Sequence, residues 1–149
     1  MCTRRHASVA AAFAPLAAAL AGASAMSPVQ AQTPRAEPNA ALRRAMQRAV
    51  ELREQAVRAG DQPYGAVVLR GELIVGEGPS RVVINTDPTA HAEIEALRDA
   101  ARRLASRDLG GCLLVSTSRP CRMCEAAAGW AGIARMVHGE AFTDAGPPR

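Results

Sequence analysis

From residue 39 onward, stretches with helical spacing of apolar residues alternate with short continuous apolar runs. Asn39 reads as the cap of a helix running to about residue 59, with Gly60 as its stop. Leu42, Met46, Val50 and Val57 supply its apolar side. Residues 64–69 (YGAVVL) have the pattern of a buried strand. Arg70-Gly71-Glu72 is turn-like, and residues 73–75 return as a second strand to give a hairpin. Residues 76–88 read as loop. Thr89 or Ala90 opens a second helix to about residue 104, with Ile94, Leu97, Ala101 and Leu104 as its core stripe. Residues 112–116 (CLLVS) are a third strand, and Pro120 opens a third helix ending near Trp130 or Ala131. Residues 135–138 (RMVH) are a short fourth strand. Strands alternating with helices predict an α/β layered domain.

The first 38 residues follow another pattern. Arg4 and Arg5 lead into an Ala-rich, uncharged run over residues 7–26, followed by Val29-Gln30-Ala31, a small-x-small cleavage pattern. This is the order of an export signal. Thr3-Arg4-Arg5 also resembles a twin-arginine signal, with Ala7 and Ser8 where strongly apolar residues usually follow. Pro15 and Gly22 interrupt the run, which makes it a poor transmembrane span. The expected organisation is a signal over residues 1–31, a polar Pro-containing linker over 32–38, and a domain over 39–149. Cleavage near Ala31 predicts a periplasmic or secreted protein. If the segment is instead a low-complexity Ala tail, a cytoplasmic one follows.

Composition narrows the function classes. A chain of 149 residues, 48% hydrophobic, 21% charged and 3% aromatic, suits one globular domain rather than a coiled coil, a collagen-like repeat or a disordered chain. All 18 basic residues are Arg, so a Lys Schiff base and a P-loop Lys are excluded. The formal charge of +4 falls to about +2 after the expected cleavage. With no basic cluster, and only Tyr64, Trp130 and Phe142 left for stacking, nucleic acid is not an expected partner.

The candidate chemistry sits at two helix starts. His91 and Glu93 flank the core stripe of the second helix on opposite sides, so they converge only where the helix begins. Cys121 and Cys124, three apart, point the same way on the third helix. One His and two Cys are three soft ligands that suit zinc. Three protein ligands leave a fourth position open, as in a catalytic site. Helix N-termini favour thiolate there, and zinc lowers the pKa of bound water toward about 7. Glu93 is placed to move that water's proton. Alone, Cys121 and Cys124 would equally suit a disulfide or a thioredoxin-like redox pair. Pro120 before them and His91-Ala92-Glu93 upstream favour the metal.

These residues carry a resemblance. His-x-Glu followed by Pro-Cys-x-x-Cys is the zinc deaminase signature. Pro63-Tyr64-Gly65-Ala66-Val67, Gly76-Glu77-Gly78, residues 87–93 (DPTAHAE), residues 130–139 (WAGIARMVHG) and Thr143-Asp144-Ala145 extend it over nearly the whole chain from Asn39. Together they resemble the cytidine and deoxycytidylate deaminase superfamily, and within it the guanine deaminase and tRNA adenosine deaminase branch. The resemblance implies a three-layer α/β/α sandwich with a central mixed sheet, and commonly a homodimer. It implies that His91, Cys121 and Cys124 hold zinc and that Glu93 is the general acid/base. It also implies that a zinc-bound hydroxide attacks the amine-bearing ring carbon of a nucleobase or nucleoside, a purine such as guanine or adenosine before cytosine. Ser80, the Ala92 backbone N–H and Tyr64 are the expected substrate contacts.

The sequence also departs from that family. Ser80 stands where an Asn usually meets the base or ribose, and offers one hydroxyl in place of an amide. Arg119 replaces the usual Glu before Pro120-Cys121. Guanine deaminases carry an acidic loop and an aromatic tail where this sequence has Pro147-Pro148-Arg149, so guanine specificity is not carried over. These departures motivate two alternatives: a non-catalytic zinc- or ligand-binding protein of the same fold, or a periplasmic thiol oxidoreductase at Cys121 and Cys124. Outside the cluster, Cys112 reads as a core thiol, His138 as a packing or surface residue, Tyr64 as core or pocket wall, and Trp130 as core or part of a dimer face.

Overall fold

The computed structural model describes residues 39–149. The expected export signal and linker lie outside them. The elements are α1 (Ala40–Arg58), β1 (Gly65–Arg70), β2 (Leu73–Pro79), α2 (Ala92–Arg103), β3 (Leu113–Ser116), α3 (Arg122–Trp130), β4 (Arg135–His138) and β5 (Thr143–Gly146). The expected elements all form, and two corrections stand out. Residues 76–79, read as loop, continue β2 along β1 in antiparallel pairing. The 143–146 segment, not read as a strand, pairs antiparallel with β4 as β5.

The sheet order is β2-β1-β3-β4-β5. β1 is antiparallel to both β2 and β3, so those two run in one direction; β4 runs parallel to β3. The sheet is therefore mixed. Alternation along β1 splits its side chains between two cores. Val67 and Leu69 pack with Val115 under α1. Ala66 and Val68 pack with Leu114 and Met136 against α2, with Ala128 of α3 in the same core. This is the expected α/β/α sandwich.

The helices reach the sheet through small residues, which corrects both expected stripes. The buried face of α1 is Ala41, Ala45, Met46, Ala49, Leu52 and Ala56, whereas Val57 is 54% exposed. In α2 the buried set is Ala92, Glu93, Ile94, Ala96, Leu97 and Ala100, while Ala101 and Leu104 are half-buried. The reason is backbone proximity. A Cβ on Gly65 would meet Ala49 O and Arg53 N of α1; one on Gly78 would meet Ala92 O and Ala96 N of α2; one on Gly76 would meet Ala96 O and Ala100. Alanines over glycines bring each helix axis close, and the larger apolar residues are displaced to the flanks.

Topology then sets the site. α2 follows β2 and α3 follows β3, two strands that point the same way. Both helices therefore begin at the same edge of the sheet, outside the carboxyl ends of those strands, where open α/β sheets place their ligands. The start of α1 is fixed by Asn39, whose side chain accepts the Leu42 N–H at 2.8 Å. Its end is a left-handed Gly60 (φ 79°) with Gly60 N–H on Val57 O and Asp61 N–H on Ala56 O. That turn delivers Asp61 toward the same edge.

Candidate metal and catalytic site

His91 is the N-cap residue of α2 and Cys121 that of α3. An N-cap side chain commonly accepts a hydrogen bond from the first turn. Neither of these does, and their backbones are extended (ψ 153° and 170°). The two side chains turn toward each other instead. Cys121 Sγ lies 3.7 Å from His91 Nδ1, Cys124 Sγ lies 3.6 Å from the same nitrogen, and the two sulfurs are 3.6 Å apart. For tetrahedral zinc, with Zn–S about 2.3 Å and Zn–N about 2.0 Å, ligand separations of about 3.8 Å (S···S) and about 3.6 Å (S···N) follow. The donor triangle fits zinc in both chemistry and spacing. Both cysteines are free thiols.

Glu93, the second residue of α2, is only 4% exposed, and its Oε2 accepts from Cys124 Sγ at 3.6 Å. Burial pushes its carboxyl above the ordinary value, against the opposing pull of its own backbone N–H, the Cys124 thiol and His91. Burial likewise pushes the Cys124 thiol up, with Glu93 adding to it. Zinc binding deprotonates the thiols it captures, which offsets this effect of burial.

A cleft of about 400 Å³ opens over the cluster, with His91, Glu93 and Cys121 at its floor and Gln62, Tyr64, Ser118 and Arg119 around it. Tyr64, 41% exposed, is a pocket wall. Ala92 is buried as the first residue of α2, where a backbone N–H has no intrahelical partner. Ser80 is placed differently from expectation. It is 1% exposed, donates to Asp61 Oδ1 at 2.8 Å, and is not among the residues lining this cleft. An Asn reaching a base needs a free amide; this shorter hydroxyl is turned inward to a buried carboxylate.

Asp61, Gln62 and Ser118 were not singled out in the sequence, because they lie in loops with no periodic signal. Asp61 is the most connected. Its Oδ2 accepts the Val83 and Ile84 N–H groups at 2.9 Å each, and its Oδ1 accepts the Gln62 N–H at 2.7 Å besides Ser80. Burial raises its pKa, but these four donors outweigh that and hold the carboxyl below the ordinary value. The carboxylate thereby ties the 81–84 turn to the segment carrying Gln62 and Tyr64. Trp130, expected in the core or on a dimer face, is 89% exposed, which removes the core reading. Cys112 is fully buried, as expected, and accepts from Arg70 Nε at 3.3 Å. His138 is half-buried at the end of β4; burial and the nearby Arg119 lower its pKa.

An α/β/α sandwich with a His-Cys-Cys donor triangle at two helix starts, and a buried carboxylate beside it, defines a zinc-binding domain. Comparison with known proteins names it: residues 39–140 match the model of the cytidine and deoxycytidylate deaminase zinc-binding region, and the chain belongs to that family. It is 39% identical over 101 residues to guanine deaminase of Bacillus subtilis, covering 67% of this chain and 65% of that one. It is 40% identical over 95 residues to the tRNA-specific adenosine deaminase of Haemophilus influenzae, covering 63% of this chain and 55% of that one. The X-ray structure of the Bacillus subtilis guanine deaminase superposes with a TM-score of 0.62 at 37% identity, over 65% of this chain and 62% of that one. The chain thus spans somewhat less than two thirds of each of these relatives. Among the described residues no helix is long and apolar enough to cross a membrane.

Proposed function

We propose that this protein is a zinc-dependent hydrolytic deaminase of a nucleobase or nucleoside, with a purine as the favoured ring. The observation that carries the reading is the donor triangle with Glu93 buried at its side. The guanine and tRNA adenosine deaminase relatives support the purine. Zinc, when bound, supplies Lewis-acid activation of water at neutral pH. His91, Cys121 and Cys124 hold it. Glu93 Oε2 would accept one proton from the attacking water and deliver it to the ring nitrogen, then accept the second proton from the added hydroxyl and deliver it to the departing amine. The water oxygen bonds to the amine-bearing carbon, the C–N bond breaks, and ammonia leaves. Tyr64 walls the ring, and the Ala92 N–H, free of an intrahelical partner at the start of α2, is a donor available to the substrate. The test is ammonia release from guanine, guanosine, adenosine, cytosine and cytidine by zinc-loaded protein. Release from at least one is expected; no release across the panel overturns the reading.

The proposal extends to cell location and assembly. Arg4-Arg5 and Val29-Gln30-Ala31 support export, and replacing both arginines by Lys tests the twin-arginine route. Unaltered export of that variant would count against it. A homodimer is the proposed assembly, and exposed Trp130 at the end of α3 offers a face for it.

A further inference from the structure

We infer that Gln62 selects the substrate ring, its side-chain amide donating to one polar atom of that ring and accepting from the next. This rests on the deaminase reading above and deepens it by naming the group that reads the substrate. Gln62 lines the cleft of about 400 Å³ over the donor triangle, together with Tyr64, Ser118 and Arg119. The floor groups of that cleft are committed elsewhere, His91 and Cys121 to the metal and Glu93 to proton transfer. Ser80, an expected contact, is engaged too: its hydroxyl donates to Asp61 Oδ1 at 2.8 Å, and it does not line the cleft. Ring recognition by side chains therefore falls to the rim.

The chemistry of the rim favours Gln62. Among the lining residues it alone carries a primary amide, a planar group with two N–H donors beside a carbonyl acceptor. Tyr64 and Ser118 bring one hydroxyl each, and Arg119 brings donors only. A primary amide can meet a donor–acceptor edge of a base through two hydrogen bonds at once. The Gln62 amide is free to do so. It has no hydrogen-bond partner among the described residues, and it is not sealed from solvent.

The backbone beneath that amide is held on both sides. The Gln62 N–H donates to Asp61 Oδ1 at 2.7 Å. Its carbonyl accepts the Tyr64 N–H at 2.7 Å, closing a three-residue turn centred on Pro63. The fixed φ of proline suits such a turn, and its ring biases Gln62 toward extended backbone. Asp61 is anchored in turn by the Val83 and Ile84 N–H groups at 2.9 Å. One oxygen, Asp61 Oδ1, thus turns Ser80 inward and fixes Gln62 at the cleft. A side chain on a preset backbone loses less freedom when it binds.

The test measures kcat and KM for guanine, guanosine, adenosine, cytosine and cytidine on zinc-loaded full chain, as wild type, Gln62→Met and Gln62→Glu. Zinc content, thermal melts and calorimetric binding of the same five compounds are taken on the same samples. Met keeps the length of the side chain without its hydrogen bonds, and Glu keeps an acceptor without the donors. Gln62→Met should retain zinc and melting temperature. It should raise KM for the best wild-type substrate about tenfold or more, with kcat moving less, and narrow the lead of that substrate over the rest. Gln62→Glu should change the order of preference. Wild-type KM values and order in both variants, an equal fall for every substrate, or loss of zinc in Gln62→Met overturns the inference while leaving the deaminase reading intact. If wild type turns over none of the five, the deaminase reading fails and binding decides. Ring-selective binding that Gln62→Met weakens supports the inference; binding equal in wild type and variant, or none, overturns it.

Discussion

The floor of the cleft and its rim are built differently. Floor residues sit at helix starts: His91 and Cys121 are N-cap residues, and Glu93 and Cys124 lie within the first turn of α2 and α3. Their positions follow from where two parallel strands end, and the close seams beneath α2 leave little freedom. Rim residues Gln62, Tyr64, Ser118 and Arg119 lie on connecting segments. Gln62 among them is held by the Asp61 carboxylate, which accepts its N–H at 2.7 Å and contacts none of the floor residues. Arg119 lies on this rim, whereas Ser80 is buried against Asp61 and does not line the cleft. The residues of the proposed chemistry thus lie on the floor, and those that would meet a substrate lie on the rim.

The difference can be broken experimentally, starting at the floor. Cys124→Ser removes the buried donor of the triangle. Zinc per chain should fall to near zero, and ammonia release should drop by more than the roughly 10–100-fold typical of losing an outer-shell partner. Metal analysis on the assayed sample checks this.

Gly78→Ala tests whether the seam fixes the floor. The new methyl would run into Ala92 O and Ala96 N of α2, which are backbone and cannot swing aside. A stability loss of about 1–3 kcal/mol or more is expected in denaturant titration, together with weaker zinc retention, because Ala92 adjoins His91.

On the rim, Asp61→Asn turns an amide N–H₂ toward the Val83 and Ile84 donors or toward Gln62 and Ser80. About 1–3 kcal/mol of stability should be lost at pH 7. The wild-type carboxyl has its folded pKa below the ordinary 3.8, so its contribution is present in full above that value and disappears as pH falls through the folded pKa. Thermal melts from pH 7 to pH 3 should show the two proteins converging only at the acid end. A gap that stays constant would contradict the assignment. The smallest effect belongs to the flank of α1. Val57→Ala should change stability by less than about 0.5 kcal/mol, since that side chain is 54% exposed.

What the sequence made legible follows the same division. The signature residues could be assigned to zinc because His-x-Glu and Pro-Cys-x-x-Cys constrain one another, and the structure brings their donor atoms within 4.8 Å. Helix and strand existence was also readable from apolar periodicity. The helix faces were misread because large apolar residues were weighted over alanine. Leu42, Val50 and Val57 are the large apolar residues of α1, whereas its backbone at Ala49 and Arg53 is what closes on Gly65, with Ala41 and Ala45 on the same buried face. That signal was present only as a pairing between distant small residues. β5 was missed because Thr143-Asp144-Ala145-Gly146 has no apolar alternation; pairing with β4 makes it a strand. Asp61 lacked any signal, since its role is set by four donors from three separate segments.

The most direct test of the central claim is zinc content and ammonia release measured together on wild type and Glu93→Gln. Glu93 is not one of the three metal donors, so the variant should keep wild-type zinc while losing about 10²–10⁴-fold in turnover of the substrate found for wild type. A Glu93→Gln protein that holds zinc and releases ammonia at the wild-type rate would contradict the account.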